Sequence, residues 1–210
     1  PPTRPGAPRI FLAPPAAAGA QLLDTPQQDI LVWGIGRFLS DEATRRLDLA
    51  ATVKATARRA GIAELHFVRA SEQREVWLWL DETAEDSALA RLADEIQATL
   101  VAHGLPVERA SFRGVPERLL GTGGEVFAPR EVDERRAHAL VAVLTDGRVL
   151  ARRYAADDQR QRIDALLRGL AHWPQLAFVD FSAGGGELAA ILAAHDLALI
   201  APGRLASFLG

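Results

Sequence analysis

The stretch Glu75-Val76-Trp77-Leu78-Trp79-Leu80-Asp81 constrains the fold more than any other part of the chain. It is short and rich in bulky and β-branched apolar residues, which would lie on both faces of a strand. An acidic turn over 82–86 follows it. These features predict a strand that is buried on both faces, which requires helices on both sides of a sheet. Because ligand sites in open α/β sheets lie at the carboxyl ends of strands, Asp81 marks a candidate site.

The rest of the chain alternates short apolar runs with amphipathic segments. Helical periodicity, as in Leu89, Leu92 and Ile96, indicates helices that pack one side on a sheet. This alternation predicts βαβ units, a mostly parallel sheet and a three-layer α/β sandwich. Beside the central strand, the predicted strands cover 107–112, 139–144, 176–181 and 197–201, and the predicted helices cover 89–100, 163–170 and 187–194.

Three segments have less regular patterns. Residues 65–68 lie at hairpin spacing from the central strand, which predicts an antiparallel edge hairpin with it. Residues 113–136, rich in glycine and proline, are expected to form a long loop with at most one helical turn. Residues 30–33 are either an edge strand or an apolar patch that packs on the domain. Before the hairpin, Asp48 is a plausible N-cap for a helix through Ala60.

The first 28 residues differ in composition from the rest. Six of the first fifteen are proline, which predicts an extended linker or arm over 1–28 and a folded domain over 29–210. Methionine is absent, so we expect the chain to be a piece of a longer protein with more polypeptide after residue 210.

Composition excludes several classes of function. With 24 basic and 27 acidic residues the net charge is −3, so the sequence lacks the basic character of nucleic-acid-binding proteins. The absence of cysteine excludes disulfides and thiolate catalysis and is compatible with a cytoplasmic location. No apolar run approaches the roughly 20 residues of a membrane helix, so no membrane contact is expected.

Acidic and hydroxyl side chains follow two of the predicted strands. Asp81, Thr83 and Glu85 come from one turn, and Asp146 follows the run 139–144. In a parallel sheet these strand ends open on the same edge, and oxygen ligands of this kind suit Mg²⁺ or Mn²⁺. The alternative is that the strand-end acids cap the following helices, where aspartate is preferred.

These motifs resemble the von Willebrand factor A (VWA) family, over roughly residues 40 to 202. That family has a metal-ion-dependent adhesion site of the form D-x-S-x-S, with a loop threonine and an aspartate in a T-D-G turn. The segment 80–85 and Thr145-Asp146-Gly147 are similar to these motifs, and 46–53 resembles the lead-in of bacterial VWA proteins that work with MoxR-type AAA+ ATPases. The resemblance implies a Rossmann-like VWA fold.

The resemblance implies a metal site formed by Asp81, Thr83, Glu85, Thr122 and Asp146. Thr83 replaces the first serine, but Glu85 stands at the second serine position, and Thr122 is the nearest match to the loop threonine. In the family an acidic residue of the partner completes the coordination sphere. Glu85 would disfavour that residue, so we expect a degenerate site, with Mg²⁺ or no metal as its cofactor; a self-liganded site is the alternative.

A second glycine-containing turn leaves an enzymatic alternative open. The segment Gly184-x-Gly186-x-x-Ala189 formally fits a nucleotide-binding turn and resembles the first motif of S-adenosylmethionine-dependent methyltransferases. The following strand, 197–201, lacks the acid that would bind a ribose, which favours a simple strand-to-helix turn.

The expected function is therefore a non-enzymatic protein–protein interaction module in a bacterial multiprotein system, with a protein partner such as an AAA+ ATPase. One alternative is a Rossmann-like enzyme, either a methyltransferase or a Mg²⁺-dependent hydrolase that uses the same carboxylates. Another is a purely structural domain whose strand-end edge has no role. An enzyme is expected to have a deep pocket at the strand ends, whereas an interaction module is expected to have a shallow face there.

Overall fold

Two β-sheets and helices on both faces of the larger sheet make up the computed structural model, which describes residues 22–35, 39–71, 74–182 and 186–209. The strands within these ranges are β1 (Leu39–Leu47), β2 (Phe67–Ser71), β3 (Glu75–Asp81), β4 (Val107–Arg113), β5 (Val115–Gly121), β6 (Val126–Phe127), β7 (Ala139–Thr145), β8 (Leu176–Asp180) and β9 (Ala198–Ile200). The α-helices are α1 (Thr25–Ile35), α2 (Leu49–Arg58), α3 (Ser87–Ala102), α4 (Arg148–Tyr154), α5 (Asp157–Leu170), α6 (Gly186–Ala193) and α7 (Leu205–Leu209), with 3₁₀ helices at Pro129–Arg135 and Pro202–Arg204.

The larger sheet has seven strands in the order β6-β5-β4-β3-β7-β8-β9. Strand β3 lies at its centre and pairs in parallel with β4 and β7, and β8 and β9 continue the parallel pairing. Only β5 and β6, at one edge, run antiparallel to their neighbours. The predicted α/β class with a mostly parallel sheet is therefore confirmed, as are the predicted strand and helix positions from β3 to β4 and from β7 to β9.

The core lies on both faces of this sheet, as the apolar composition of β3 predicts. On one face Trp77 and Trp79 pack with residues of α4, α5 and α6, and the Trp79 ring meets Trp173 edge to face at 5.7 Å between centroids. On the other face Val76 and Leu78 pack against α1, α3 and α7. Each face of the central strand is thus covered by a layer of helices, which fixes the position of Asp81 at its end.

The predicted hairpin between 65–68 and the central strand is wrong. Strand β2 pairs antiparallel with β1, with Leu47 opposite Phe67, and forms a separate two-stranded sheet. Both edges of β3 are already occupied by β4 and β7, so no edge remains for β2. Helix α2, which is capped by Asp48 as predicted, connects the two strands of this small sheet and ends two residues before Ala60.

The predicted long loop over 113–136 is also wrong in its larger part. It contains β5, β6 and the 3₁₀ helix Pro129–Arg135. Strand β5 alternates buried and exposed positions, but the sequence does not show this clearly. Glu117 lies on the helix-covered side of β5 but is charged, and it pairs with Arg162 of α5. The antiparallel edge of the sheet therefore lies at β5 and β6.

The apolar patch at 30–33 is part of helix α1 and packs on the domain, so the strand alternative is wrong. Leu31 and Ile35 are buried against α3 and α7, and Leu23 is buried as well, so the folded part already includes residues before position 29. Residues 1–21 of the predicted arm lie outside the described residues. Among the helices of the described ranges, none combines the length and the apolar character needed to cross a bilayer.

Candidate functional site

Two aspartates lie side by side at the carboxyl edge of the sheet, as the sequence predicts. Asp81 is the last residue of β3 and Asp146 directly follows β7, and the pairing of Leu80 with Leu144 brings the two strand ends together. The side chains are buried, with 3% and 5% of the residue surfaces exposed. Buried carboxylates need partners, so their hydrogen bonds decide what this edge can bind.

The Asp81 carboxylate accepts four hydrogen bonds from the chain itself. Its Oδ1 accepts from the Thr83 backbone N–H at 2.9 Å, from the Thr83 hydroxyl at 2.6 Å and from the Gly114 N–H at 2.9 Å. Its Oδ2 accepts from the Thr145 hydroxyl at 2.7 Å. A carboxylate offers about four acceptor positions in all. Asp81 is therefore largely saturated, and Thr83, which is predicted beside it as a metal ligand, donates two hydrogen bonds to its carboxylate.

Gly114 reaches Asp81 because it forms the turn between β4 and β5. Its φ of 77° lies in the left-handed region, and a Cβ atom there would come within 2.1 Å of Val149 Cγ1. Only glycine fits this turn without displacing α4. Sequence reasoning missed Gly114 as a site residue, since an isolated glycine between two strands gives no sign of what its N–H contacts.

Thr145 is the second residue that sequence reasoning missed. Its hydroxyl donates to Asp81 and accepts from the Gly147 N–H at 2.9 Å, so it connects the end of β3 to the turn before α4. The signal is present in the Thr145-Asp146-Gly147 motif, of which only Asp146 is predicted as a site residue.

Asp146 and Glu85 are joined by Arg148, the first residue of α4. The Arg148 Nη1 lies 2.5 Å from Glu85 Oε2, and its Nε lies 3.6 Å from Asp146 Oδ2. Asp146 Oδ1 also accepts from the Arg148 N–H at 3.1 Å, so this acid binds the first N–H of α4 from the position before Gly147, the N-cap residue. The hydrogen bond from Arg148 to Glu85, together with the charges of Glu85 and Asp146, raises the pKa of the guanidinium.

The chain thus supplies its own cation at this edge. We use the name strand-end face for the surface formed by Asp81, Thr83, Glu85, Asp146 and Arg148. Of the five residues in the predicted metal site, the structure brings Asp81 and Thr83 into contact and links Glu85 to Asp146 through Arg148.

Thr122 is not part of this group. It lies in the turn between β5 and β6, and the preceding Gly121 pairs with Ala110, which is level with Trp79. Thr122 therefore follows a strand two places away from β3 and lies beyond the level of Trp79, away from the strand ends.

The arrangement does not fit a divalent cation held by three carboxylates. Across the described ranges, no three His, Cys, Asp or Glu side chains are grouped so that they could hold a metal ion. Mg²⁺ needs near-octahedral oxygen ligands, whereas here Asp81 Oδ1 accepts three hydrogen bonds, Asp81 Oδ2 accepts one, and Arg148 lies between Glu85 and Asp146. A metal would have to displace the guanidinium and rearrange the Asp81 hydrogen bonds.

Four cavities stand out in the described part of the chain, and two of them, lined in part by Glu82 and by Asp180, lie at the carboxyl edge of the sheet. The largest, about 820 Å³, lies beside Phe127, Leu166 and Trp173. Three others of about 350 to 480 Å³ are lined in part by Glu82, Asp158 and Asp180. None of these four has Asp81, Thr83, Glu85 or Asp146 in its lining. The strand-end face does not contribute to any of these cavities.

The glycine turn of the methyltransferase alternative is only partly visible. Residues 183–185 lie outside the described residues, and Gly186 is the first residue of α6.

No family model, curated protein or solved structure matches the chain.

Proposed function

We propose that the chain is a VWA-like, non-enzymatic protein–protein interaction module whose strand-end face binds a protein partner without a bridging metal. The observation that carries this proposal is the position of Arg148 between Glu85 and Asp146. A guanidinium there neutralises the carboxylates that would otherwise bind a divalent cation. It is half-exposed, so it also offers free N–H groups to an acidic side chain of a partner.

The sheet supports the VWA-like part of the proposal. Its parallel strands with an antiparallel edge, and the strand-end positions of Asp81 and Asp146, agree with what the resemblance implies. A MoxR-type AAA+ ATPase is the partner class that the resemblance favours.

The enzymatic alternatives have less support. A Mg²⁺-dependent hydrolase needs carboxylate oxygens that are available to metal and water, but those of Asp81 accept hydrogen bonds from Thr83, Gly114 and Thr145. An enzyme would also be expected to bind its substrate in a pocket lined by its catalytic carboxylates. The two cavities at this edge, of about 350 and 400 Å³, are not lined by Asp81, Glu85 or Asp146.

Two measurements on one set of variants test the proposal. Titration calorimetry with Mg²⁺ and Mn²⁺ should give no saturable heat for the unaltered chain. The chain should nevertheless bind a purified MoxR-type ATPase encoded by the same genome, and Arg148→Ala should weaken that binding at least tenfold. Thr122→Ala, an exposed threonine away from the face, is the control and should bind normally.

Two results would overturn the proposal. Saturable Mg²⁺ binding that is lost in Asp81→Ala would establish a metal site. Equal ATPase binding by Arg148→Ala and by the unaltered chain would remove the strand-end face as the contact surface.

A further inference from the structure

Helix α2 is held to the segment before β2 through polar side chains. The Thr52 hydroxyl accepts from the His66 N–H at 2.9 Å and donates to the His66 carbonyl at 3.2 Å, and the Thr56 hydroxyl accepts from the Glu64 N–H at 3.3 Å. No residue of α2 is buried. The helix is therefore held by its threonine side, and its other sides remain available.

An apolar stripe runs along one of those other sides. Leu49, Val53 and Ala57 repeat at intervals of four residues, and Ala50 lies beside them. Leu49 is 69% exposed and Val53 is 66% exposed. A helix normally turns its apolar side toward the core, so an apolar side left in water indicates a missing partner. We call these four residues the α2 stripe.

The segment of chain that carries the stripe also has an unusually apolar surface. Of the thirteen large hydrophobic residues that are exposed within the described ranges, seven fall between positions 47 and 68. In addition to Leu49 and Val53, these seven residues include Leu47, Ile62, Leu65, Phe67 and Val68. Such a concentration in one short unit distinguishes an interaction surface from the scattered exposed residues of any protein.

The same unit is basic. Residues 39–71, which span β1, α2 and β2, contain six Arg or Lys and four Asp or Glu, a net charge of 6 − 4 = +2, in a chain whose net charge is −3. The two acids between β1 and β2 are engaged, since Asp48 caps α2 and Glu64 pairs with Arg59 at 2.9 Å. Lys54 and Arg58, one turn apart and exposed beside the stripe, have no ion pair within the described part of the chain.

We infer that the α2 stripe is a docking surface for an acidic amphipathic helix of a partner protein. The stripe extends over eight residue steps, about 12 Å at 1.5 Å per residue, which matches a contact of two helical turns. Ala50 and Ala57 let a second helix approach closely, and acidic residues beside its apolar side would meet Lys54 and Arg58.

Two other occupants fit less well. A second copy of the chain packed symmetrically on the stripe would place Lys54 and Arg58 near their own copies, which is repulsive. An anionic membrane would gain little from two bulky side chains and two alanines, because interfacial binding grows with the apolar area that is inserted. This surface is separate from the strand-end face and does not depend on its function.

A designed peptide provides a direct test. The probe is a fluorescein-labelled helix with leucines at i, i+3, i+4 and i+7 and glutamates beside them, measured by fluorescence polarisation. The chain should bind it saturably, and Val53→Glu should weaken binding at least tenfold. Val101→Glu, which alters a valine of α3 that is 60% exposed, is the matched control and should bind normally.

Charge exchange makes the test specific. The double variant Lys54→Glu with Arg58→Glu should lose the acidic peptide and bind a version with lysines in place of the glutamates. Circular dichroism of each variant shows that the fold is retained. No saturable binding, equal loss in Val53→Glu and Val101→Glu, dimerisation through the stripe in light scattering, or tighter binding to phosphatidylglycerol vesicles than to the peptide would each overturn the inference.

Discussion

The strand-end face and the α2 stripe differ in whether their side chains have partners within the chain. At the strand-end face, buried carboxylates that could bind a ligand are already bound by Thr83, Gly114, Thr145 and Arg148. At the α2 stripe, apolar side chains that could form a core are left in water. The carboxylates of the first region have their partners within the chain and leave only the exposed part of Arg148 for another protein, whereas the apolar side chains of the second have none, so the second offers more free energy to a partner.

If the strand-end face is complete, removing its central acceptor should strongly destabilise the domain. Asp81→Ala would leave two N–H groups and two hydroxyls without their acceptor in a buried place. We expect the free energy of unfolding to fall by about 3–5 kcal/mol, measured by urea denaturation. A loss below about 1 kcal/mol, equal to that of the exposed control Thr122→Ala, would show that the hydrogen bonds are not what holds this edge.

The sequence predicts the strand-end aspartates well because their signal is local. A buried strand followed by an acid is visible within ten residues, and Asp81 and Asp146 lie where that pattern places them. Arg148 could not be found in this way, because its role depends on the direction of a side chain across the sheet edge to Glu85, 63 positions away in sequence. Gly114 and Thr122 illustrate the same limit, since only the path of β5 decides which of them reaches Asp81.

The errors in the fold have the same origin. The apolar run at 65–68 and the central strand satisfy the local rule for a hairpin, but strand pairing is decided by competition among all strands. Strands β4 and β7 take both edges of β3, and β2 pairs with β1, a strand that the sequence pattern did not indicate. In β5 the charge of Glu117 hides the alternation that would have identified the strand.

If polar contacts mainly hold the unit that carries the α2 stripe, removing the Thr52 hydroxyl should lower the stability of α2 and leave that of the seven-stranded sheet unchanged. Thr52→Val keeps the shape of the side chain and removes both hydrogen bonds to His66. We expect the free energy of local opening of α2 to fall by about 1–2 kcal/mol, seen as faster amide hydrogen exchange in α2 with unchanged exchange in β3 and β7.

The matched control is Thr99→Val in α3, because the hydroxyl of Thr99 makes no hydrogen bond within the described part of the chain. It should leave exchange unchanged in both regions. If Thr52→Val instead accelerated exchange throughout the seven-stranded sheet, the small sheet and the large one would unfold as one body, and the contrast between them would be lost.

A third carboxylate, Asp164 of α5, tests whether internal partners also stabilise the domain away from the strand ends. Tyr154 donates a hydrogen bond to its Oδ1 at 2.9 Å, and His195 Nε2 lies 3.0 Å from the same atom. The hydrogen bond from Tyr154 is the main cause that lowers the pKa of Asp164, with smaller contributions from His195 and Arg160. These contacts link α5 to the end of α4 and to the segment after α6.

The lowered pKa fixes the direction of the pH dependence. Because the folded carboxyl holds its proton less tightly than the unfolded one, its contribution is fully present above the unfolded pKa, about 3.9, and is lost as the pH falls through the folded value. The unaltered chain should therefore lose more stability between pH 6 and pH 3 than Asp164→Asn does, measured by urea midpoints at each pH. The effect should be smaller than that of Asp81→Ala, since Asp164 is partly exposed. Parallel pH profiles for the two proteins would show that ionised Asp164 contributes nothing to the stability of the domain. Stabilisation by internally bonded carboxylates would then be limited to the strand-end face.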